Sequence, residues 1–459
     1  MRRWLVVSVV LVVAALAIVV VVVLTDPRDD EPETATDPRR DAPPIPATVG
    51  DDGPTPVTDR EGSWLDARDV AGVDCAGGSA DDLQAAVDRA AGDGLTLVIP
   101  EGARCKLDAP LEIPDGARIH AGGAVVTGLP GAFRPRPERE SLVDIIGVSD
   151  VRVHGGLWQM AEDEGANVFE IRDSSDVVLA GLTATGARED GFYIGRPTSV
   201  GVRLERVVAN ENGRSGISIT TGRDISVVGS HAHDNGHITD MRGLTIEPTS
   251  DGGPLTGIRI VDLVTSGNYR SGASASLANL DADAEDVDIV FDGYRSIDDP
   301  IGLRVSKGMV GGVLRIVDAE FHQTDSVALQ LKDRWASAFR VEIIRPVIRD
   351  WGTDPAGRPR HDSAISIYTS DDDVDEPLGG VRIVEPTITA HPDAGSDAYY
   401  VYVGDNRDEP VGVEDVELLD PVHLEYGRGL SLQGEVRVGT EDPSAEASLL
   451  PARGATIPD

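Results

Sequence analysis

The sequence predicts an all-β chain: a right-handed parallel β-helix of roughly ten coils with a short N-terminal capping α-helix. Three observations predict it. First, a short alternating strand recurs behind a small residue: Gly191-Phe192-Tyr193-Ile194, Gly216-Ile217-Ser218-Ile219, Gly243-Leu244-Thr245-Ile246, Gly272-Ala273-Ser274-Ala275 and Gly302-Leu303-Arg304-Val305, at intervals of 25 to 30 residues. Later copies follow at Ala328, Ala364, Tyr400 and Gly429. Second, another strand recurs inside each unit, as in Val177-Val178-Leu179, Val202-Arg203-Leu204 and Ile258-Arg259-Ile260, and no helical period lies between the two. Third, aromatic residues make up only 4% of the chain, and a core of stacked Val, Ile, Leu and Ala layers fits that composition. One such unit cannot bury its apolar side alone, whereas stacked units share one continuous core. A β-sandwich would need shorter spacing and hairpin turns.

Taken in order, the chain opens with Met1-Arg2-Arg3 and an unbroken apolar run of 21 residues, Trp4 to Leu24. That length spans about 30 Å of hydrocarbon as a helix. The small residues Ala14-Ala15-Leu16-Ala17 lie inside the run and β-branched Val fills its end, so a retained anchor is expected rather than a removed signal. Arginines lead and acids follow, which places the N-terminus in the cytoplasm and the bulk outside, as a single-pass protein of the cell membrane. Residues 26–60, rich in Pro, Asp and Thr, read as a disordered tether. The β-helix is expected over 61–437 and a C-terminal tail over 438–459. Ser79 reads as the N-cap of a helix that buries Leu83, Ala86, Val87 and Ala90 and stops at Gly92. Asn212-Gly213, Asn235-Gly236 and Gly267-Asn268 read as turns with Asn in left-handed backbone angles.

The charge balance is 41 basic against 79 acidic side chains, a net −38. Such a surface repels nucleic acid and anionic headgroups. The two cysteines, Cys75 and Cys105, read either as buried thiols or as one disulfide closing a 30-residue loop. In the chain-entropy picture that bridge contributes on the order of 3–4 kcal/mol.

Residues 70–125 resemble the N-terminal cap of the pectin-lyase-like right-handed β-helix superfamily. The carriers are the amphipathic helix and a Thr-x-x-x-Pro-x-Gly strand and turn at Thr96, Pro100 and Gly102. The coils from Asp144 to Gly434 resemble the same superfamily. Its catalytic signatures do not carry over. Asp298-Asp299 matches the Asp-Asp of polygalacturonase-like members, but their Gly-His-Gly, the pectate-lyase Arg-x-Pro-x-x-Arg and the alginate-epimerase Asp-Pro-His-Asp are absent.

Alternation sets the outward column Tyr193, Ser218, Thr245, Ser274, Arg304, Gln330, Ser366, Tyr402, Ser431, and beside it Gly195, Thr220, Glu247, Ser276, Ser306, Lys332, Tyr368. This polar face reads either as a solvated sheet surface or as a shallow cleft for a sugar chain. Arg214, Arg242 and Arg270 stand in nearly one register in three successive coils. They are expected either in internal ion pairs with residues such as Asp190 and Glu247, or on the carboxylates of an acidic polysaccharide. Arg304, Tyr193 and Tyr368 are further candidates for substrate binding. His237 and Asp240, on a loop expected beside Glu247, suit general acid–base cleavage of a glycosidic bond. Lys332 with Arg304 suits elimination from a uronic acid instead. His231-x-His233 is a weak metal motif, no motif specifies calcium, and no cofactor is expected. The chain therefore reads as a membrane-anchored extracellular lyase or hydrolase of an acidic polysaccharide, or as a non-catalytic surface module that binds one.

Overall fold

The computed structural model describes residues 64–67, 80–134, 139–239, 241–249, 252–280, 282–306, 310–324, 326–333, 339–351, 363–372, 374–390, 399–420, 422–425 and 430–439. The expected anchor and tether, Ser79, Cys75, Asp240 and the C-terminal tail beyond Gly439 lie outside them. Among the described residues no helix is long and apolar enough to cross a membrane.

Each coil contributes strands to three parallel sheets, of 16, 12 and 12 described strands. Sheet one runs through Val200–Glu205 and Ile258–Val261, sheet two through Phe192–Gly195 and Arg242–Ile246, and sheet three through Thr183–Ala187 and Val208–Asn210. Every neighbouring pair in a sheet is one coil apart and parallel, so backbone groups find partners about 4.8 Å above and below. The inward residues are fully buried: Phe192 and Ile194, Ile217 and Ile219, Leu244 and Ile246, Ala273 and Ala275, Leu303 and Val305. Truncating any one of the larger of these to Ala removes contacts on the coils above and below as well as its own, at a typical cost of about 2–5 kcal/mol.

The cap is a helix, Ala80–Gly92, that buries Leu83, Ala86, Val87 and Ala90. Asp108 Oδ1 accepts from the Ala80 N–H at 2.9 Å, so a residue from the first coil satisfies one N-terminal donor. Behind the helix, Gly102 turns at φ +76° after Pro100, where a side chain would be strained. Cys105 is buried and disulfide-bonded.

The recurring turns differ from the sequence expectation in one respect. The left-handed residues are Glu211, Asp234, Gly267 and Asp298, each one position before the expected Asn or its equivalent. The asparagines are buried and form a ladder along the stack instead. Asn212 Nδ2 donates to Asn235 Oδ1, Asn235 Nδ2 to Asn268 Oδ1, and Asn268 Nδ2 to Asp299 Oδ1, each at 3.0 Å. A buried amide has two donors and an acceptor to satisfy, and only stacked copies satisfy both sides. Asn235→Ala is expected to cost about 1–3 kcal/mol, because it leaves the Asn212 backbone N–H and one Asn212 Nδ2 hydrogen without their Oδ1 acceptor; thermal unfolding measures it.

Candidate functional site

The outward face of sheet two carries the expected column in strict register. Tyr193 pairs with Ser218, Ser218 with Thr245, Thr245 with Ser274, Ser274 with Arg304, and Arg304 with Gln330. Ser366, Tyr402 and Ser431 continue it. The column also extends the other way, where the sequence reading stopped: Tyr193 pairs with Glu170, Glu170 with Asp144, and Asp144 with Glu112. The face thus has an acidic end, a central cleft and a basic stretch.

At the acidic end, Val143-Asp144-Ile145 and Phe169-Glu170-Ile171 bury their flanking residues and turn the two carboxyls outward, one coil apart. Glu170 is only 3% exposed. It accepts from Ser141 Oγ at 2.6 Å, and Arg172 Nε lies 3.1 Å from its other oxygen. Asp144 has no such support. Its Oδ1 is buried without a hydrogen-bond partner. Burial, and then the nearby Glu170 charge, push its pKa up to about 7. A largely buried acid that keeps its proton near neutral pH, beside a second carboxyl, has the character of a general acid.

The central cleft, about 330 Å³, opens between Tyr193, Ser218, Thr245 and Glu247. Arg139 lies over the Tyr193 ring at 5.4 Å and donates to Glu189 at 2.8 Å. Arg214 is closed internally. Its guanidinium grips both oxygens of Asp190, which is 0% exposed. Burial opposes the charge on Arg214, but Asp190 more than offsets it and raises the pKa. Arg214 is therefore the internal ion pair of the two alternatives, and its fork is not free for a ligand.

The basic stretch is different. Arg242 pairs in register with Ser271, next to Arg270, and Arg304 stands one coil further on. Among the described residues, none of these three guanidiniums has a carboxylate within 4.0 Å. Arg242 is 7% exposed; its Nε has no partner, and its Nη1 meets only Met241 Sδ at 3.4 Å. Burial pushes the Arg242 pKa down to about 10, with Glu247 opposing that shift and Arg304 and Arg270 adding to it. Burial and Arg270 lower Arg304 in the same way. Two such charges about 10 Å apart repel by roughly 2 kcal/mol at an effective dielectric of 20. Glu247 lines the cleft and acts as a counter-charge on both Arg242 and Arg304, with Asp333 acting on Arg304 as well.

The remaining candidates fall elsewhere. His237 does not join Glu247: it is exposed and lines a separate groove of about 640 Å³ over sheet three, with Gln159, Thr185 and Asn210. The loop after Asn235 leaves on that side of the corner. Asp240 lies outside the described residues. Lys332 Nζ lies 3.3 Å from Asp333 Oδ2 and is paired with it. Tyr368 is buried in the next coil, its pKa raised by burial and countered by Arg304. His231 and His233 face outward together on sheet three with ring centroids 4.5 Å apart. Burial, then the His233 charge, lower His231 to about 4. Asp299 of the Asp298-Asp299 pair is fully buried at the end of the asparagine ladder, so it contributes structure, not chemistry. Sequence reasoning missed Asp144, Glu170 and the 60%-exposed Tyr269 beside Arg270. The first two carried a signal, a carboxyl at the centre of an apolar triplet.

No protein-family profile and no curated protein matches the chain. Solved structures do. The surface adhesin PfbA of Streptococcus pneumoniae superposes with a TM-score of 0.55 at 11% identity, over 82% of this chain and 92% of the adhesin. The Agl-KA catalytic domain gives 0.52 at 13% identity over 82% and 68%. The family 28 exopolygalacturonase of Yersinia enterocolitica gives 0.51 at 12% identity over 83% and 78%. At these identities the likeness is one of fold, and it agrees with the three parallel sheets: the chain is a right-handed parallel β-helix of the pectin-lyase-like fold.

Proposed function

We propose that this chain binds an acidic polysaccharide along the outward face of sheet two and hydrolyses it by acid–base chemistry at Asp144 and Glu170. The observation that carries the reading is the carboxyl pair itself. Asp144 holds a proton to about pH 7 one coil from Glu170, on the face that also bears the cleft. Glycoside hydrolysis needs one carboxyl to protonate the leaving oxygen and another to act as base or nucleophile. The acidic character of the substrate is supported by Arg242, Arg270 and Arg304, which a neutral polymer leaves uncompensated. Hydrolysis is favoured over elimination by the raised pKa of Asp144 beside Glu170, which suits an acid to protonate the leaving oxygen. The apolar run Trp4–Leu24 supports placement at the cell membrane with the β-helix outside.

A second reading, binding without cleavage, is favoured by the deep burial of Glu170, which limits its approach to a sugar. One experiment separates them. The full chain in detergent is incubated with polygalacturonate, alginate and a sulfated glycan. Hydrolysis yields new reducing ends without the ultraviolet absorbance of an unsaturated uronate, and elimination yields both. Retention of a polymer with no new ends selects the binding module.

A further inference from the structure

We propose that Arg242, Arg270 and Arg304 form a discrete subsite for one oxyanion substituent of the polymer, a carboxylate or a sulfate. The inference rests on the polysaccharide reading of this face and adds what one stretch of it recognises. The chain carries 79 acidic side chains, so unpaired arginines are not due to a shortage of partners. Elsewhere on the surface of the coils Arg118, Arg152, Arg203, Arg315 and Arg345 each meet a carboxylate. On the same face Arg139 and Arg214 do so as well. Arg242, by contrast, is buried with its Nε unpartnered, and Arg304 Nε is also buried without a partner.

Burying a guanidinium without a partner is unfavourable unless something binds there. The three lie in successive coils, Arg304 three residues further along its strand than the partner of Arg242, and the long side chains bring the charges close enough for each of Arg242 and Arg304 to feel Arg270. Glu247 acts on Arg242 and Arg304, and Asp333 on Arg304, but among the described residues no carboxylate comes within 4.0 Å of any of the three guanidiniums. A planar fork suits a substituent with two oxygens in one plane or on one edge. Arg242 holds the deep position, Arg304 the flank, and exposed Arg270 the rim.

The test is calorimetric titration of the full chain in detergent with oligogalacturonate, dextran sulfate, neutral dextran and inorganic sulfate. At least one anionic polymer is expected to bind ten times or more tighter than dextran, and the stronger of the two identifies carboxylate or sulfate as the substituent. Arg304→Gln and Arg270→Gln are each expected to weaken that binding roughly 10- to 100-fold. Arg349→Gln on sheet three leaves it unchanged. Arg242→Gln is expected to weaken it most. Should that buried variant not fold, the Arg304 and Arg270 variants decide the matter. Anionic binding unaffected by both, or dextran binding as tight as the anionic polymers, overturns the subsite while the polysaccharide reading stands. Inorganic sulfate bound by the wild type but lost in Arg304→Gln, with no polymer bound, supports the subsite and overturns the polysaccharide reading. No binding of any probe overturns both.

Discussion

An Asp144→Asn chain is expected to lose at least about a hundredfold in hydrolysis, because the amide has no proton to give the leaving oxygen. Its folding should not suffer. Asp144 Oδ1 has no hydrogen-bond partner to lose, and the group is held against its own charge by burial and by Glu170. The pH dependence is more specific than the loss itself. Wild-type activity should fall above about pH 7, as Asp144 gives up its proton. Glu170→Gln removes one of the causes that raise Asp144, so in any residual activity that alkaline limb should move to lower pH. A limb that stays in place in Glu170→Gln removes Glu170 from the mechanism.

Stability follows the same proton. The folded-state pKa of Asp144 lies above its ordinary value of 3.8, so the folded state binds the proton more tightly than the unfolded chain. The resulting stabilisation is present at low pH and is lost as pH rises through about 7. Melting temperature at pH 8 should therefore be higher in Asp144→Asn than in the wild type, and the gap should narrow as pH falls below 7 and close only below about 3.8.

Asp299→Ala is expected to cost roughly 3–5 kcal/mol and to lower the melting temperature by several degrees. Asp299 is fully buried and ends the asparagine ladder. Its Oδ1 accepts from the Asn268 N–H at 2.9 Å and from Asn268 Nδ2 at 3.0 Å, while Oδ2 accepts from Thr265 and Ser296 hydroxyls at 2.7 Å each. Alanine leaves these donors unpaired inside the core. Asp299→Asn keeps one oxygen, and the two hydroxyls can turn to accept, so it should be milder. Burial raises the Asp299 pKa to about 6 against its four hydrogen bonds. Here too the stabilising contribution is present below the ordinary value of 3.8 and is lost as pH rises through about 6. Differential scanning calorimetry of both variants at pH 5 and pH 8 checks the pair of statements. Equal melting of Asp299→Ala and wild type would show that the ladder does not couple adjacent coils.

The register of sheet two was legible residue by residue. Strand side chains alternate with period two, and a small residue marks the start of each copy, so Tyr193, Ser218, Thr245, Ser274 and Arg304 could be placed on one line from composition alone. The cap helix was legible for the same reason, since its buried positions follow the helical period. Asp144 and Glu170 escaped because Leu142 and Val168, not glycines, precede their strands, so the repeat appeared to begin a coil late. The asparagines were recognised as recurrent but assigned to backbone angles. Their function as a ladder depends on amides 23 and 33 residues apart meeting at hydrogen-bond distance.

The sequence by itself determined a parallel β-helix, its cap, its repeat and the identity of the outward columns, because local alternation is enough to say which way a side chain points. Only the tertiary structure decided which charges meet. Arg214 was closed by Asp190, 24 residues earlier, while Arg242, one coil later and with the same sequence character, was left buried without a carboxylate among the described residues. His237 turned toward sheet three, and Asp144 acquired its high pKa from burial in the stack and from a carboxyl 26 residues away. Each of these outcomes rests on contacts between successive coils. Electrostatic energy falls steeply with distance and rises with burial, and neither quantity is written in the local pattern of a strand.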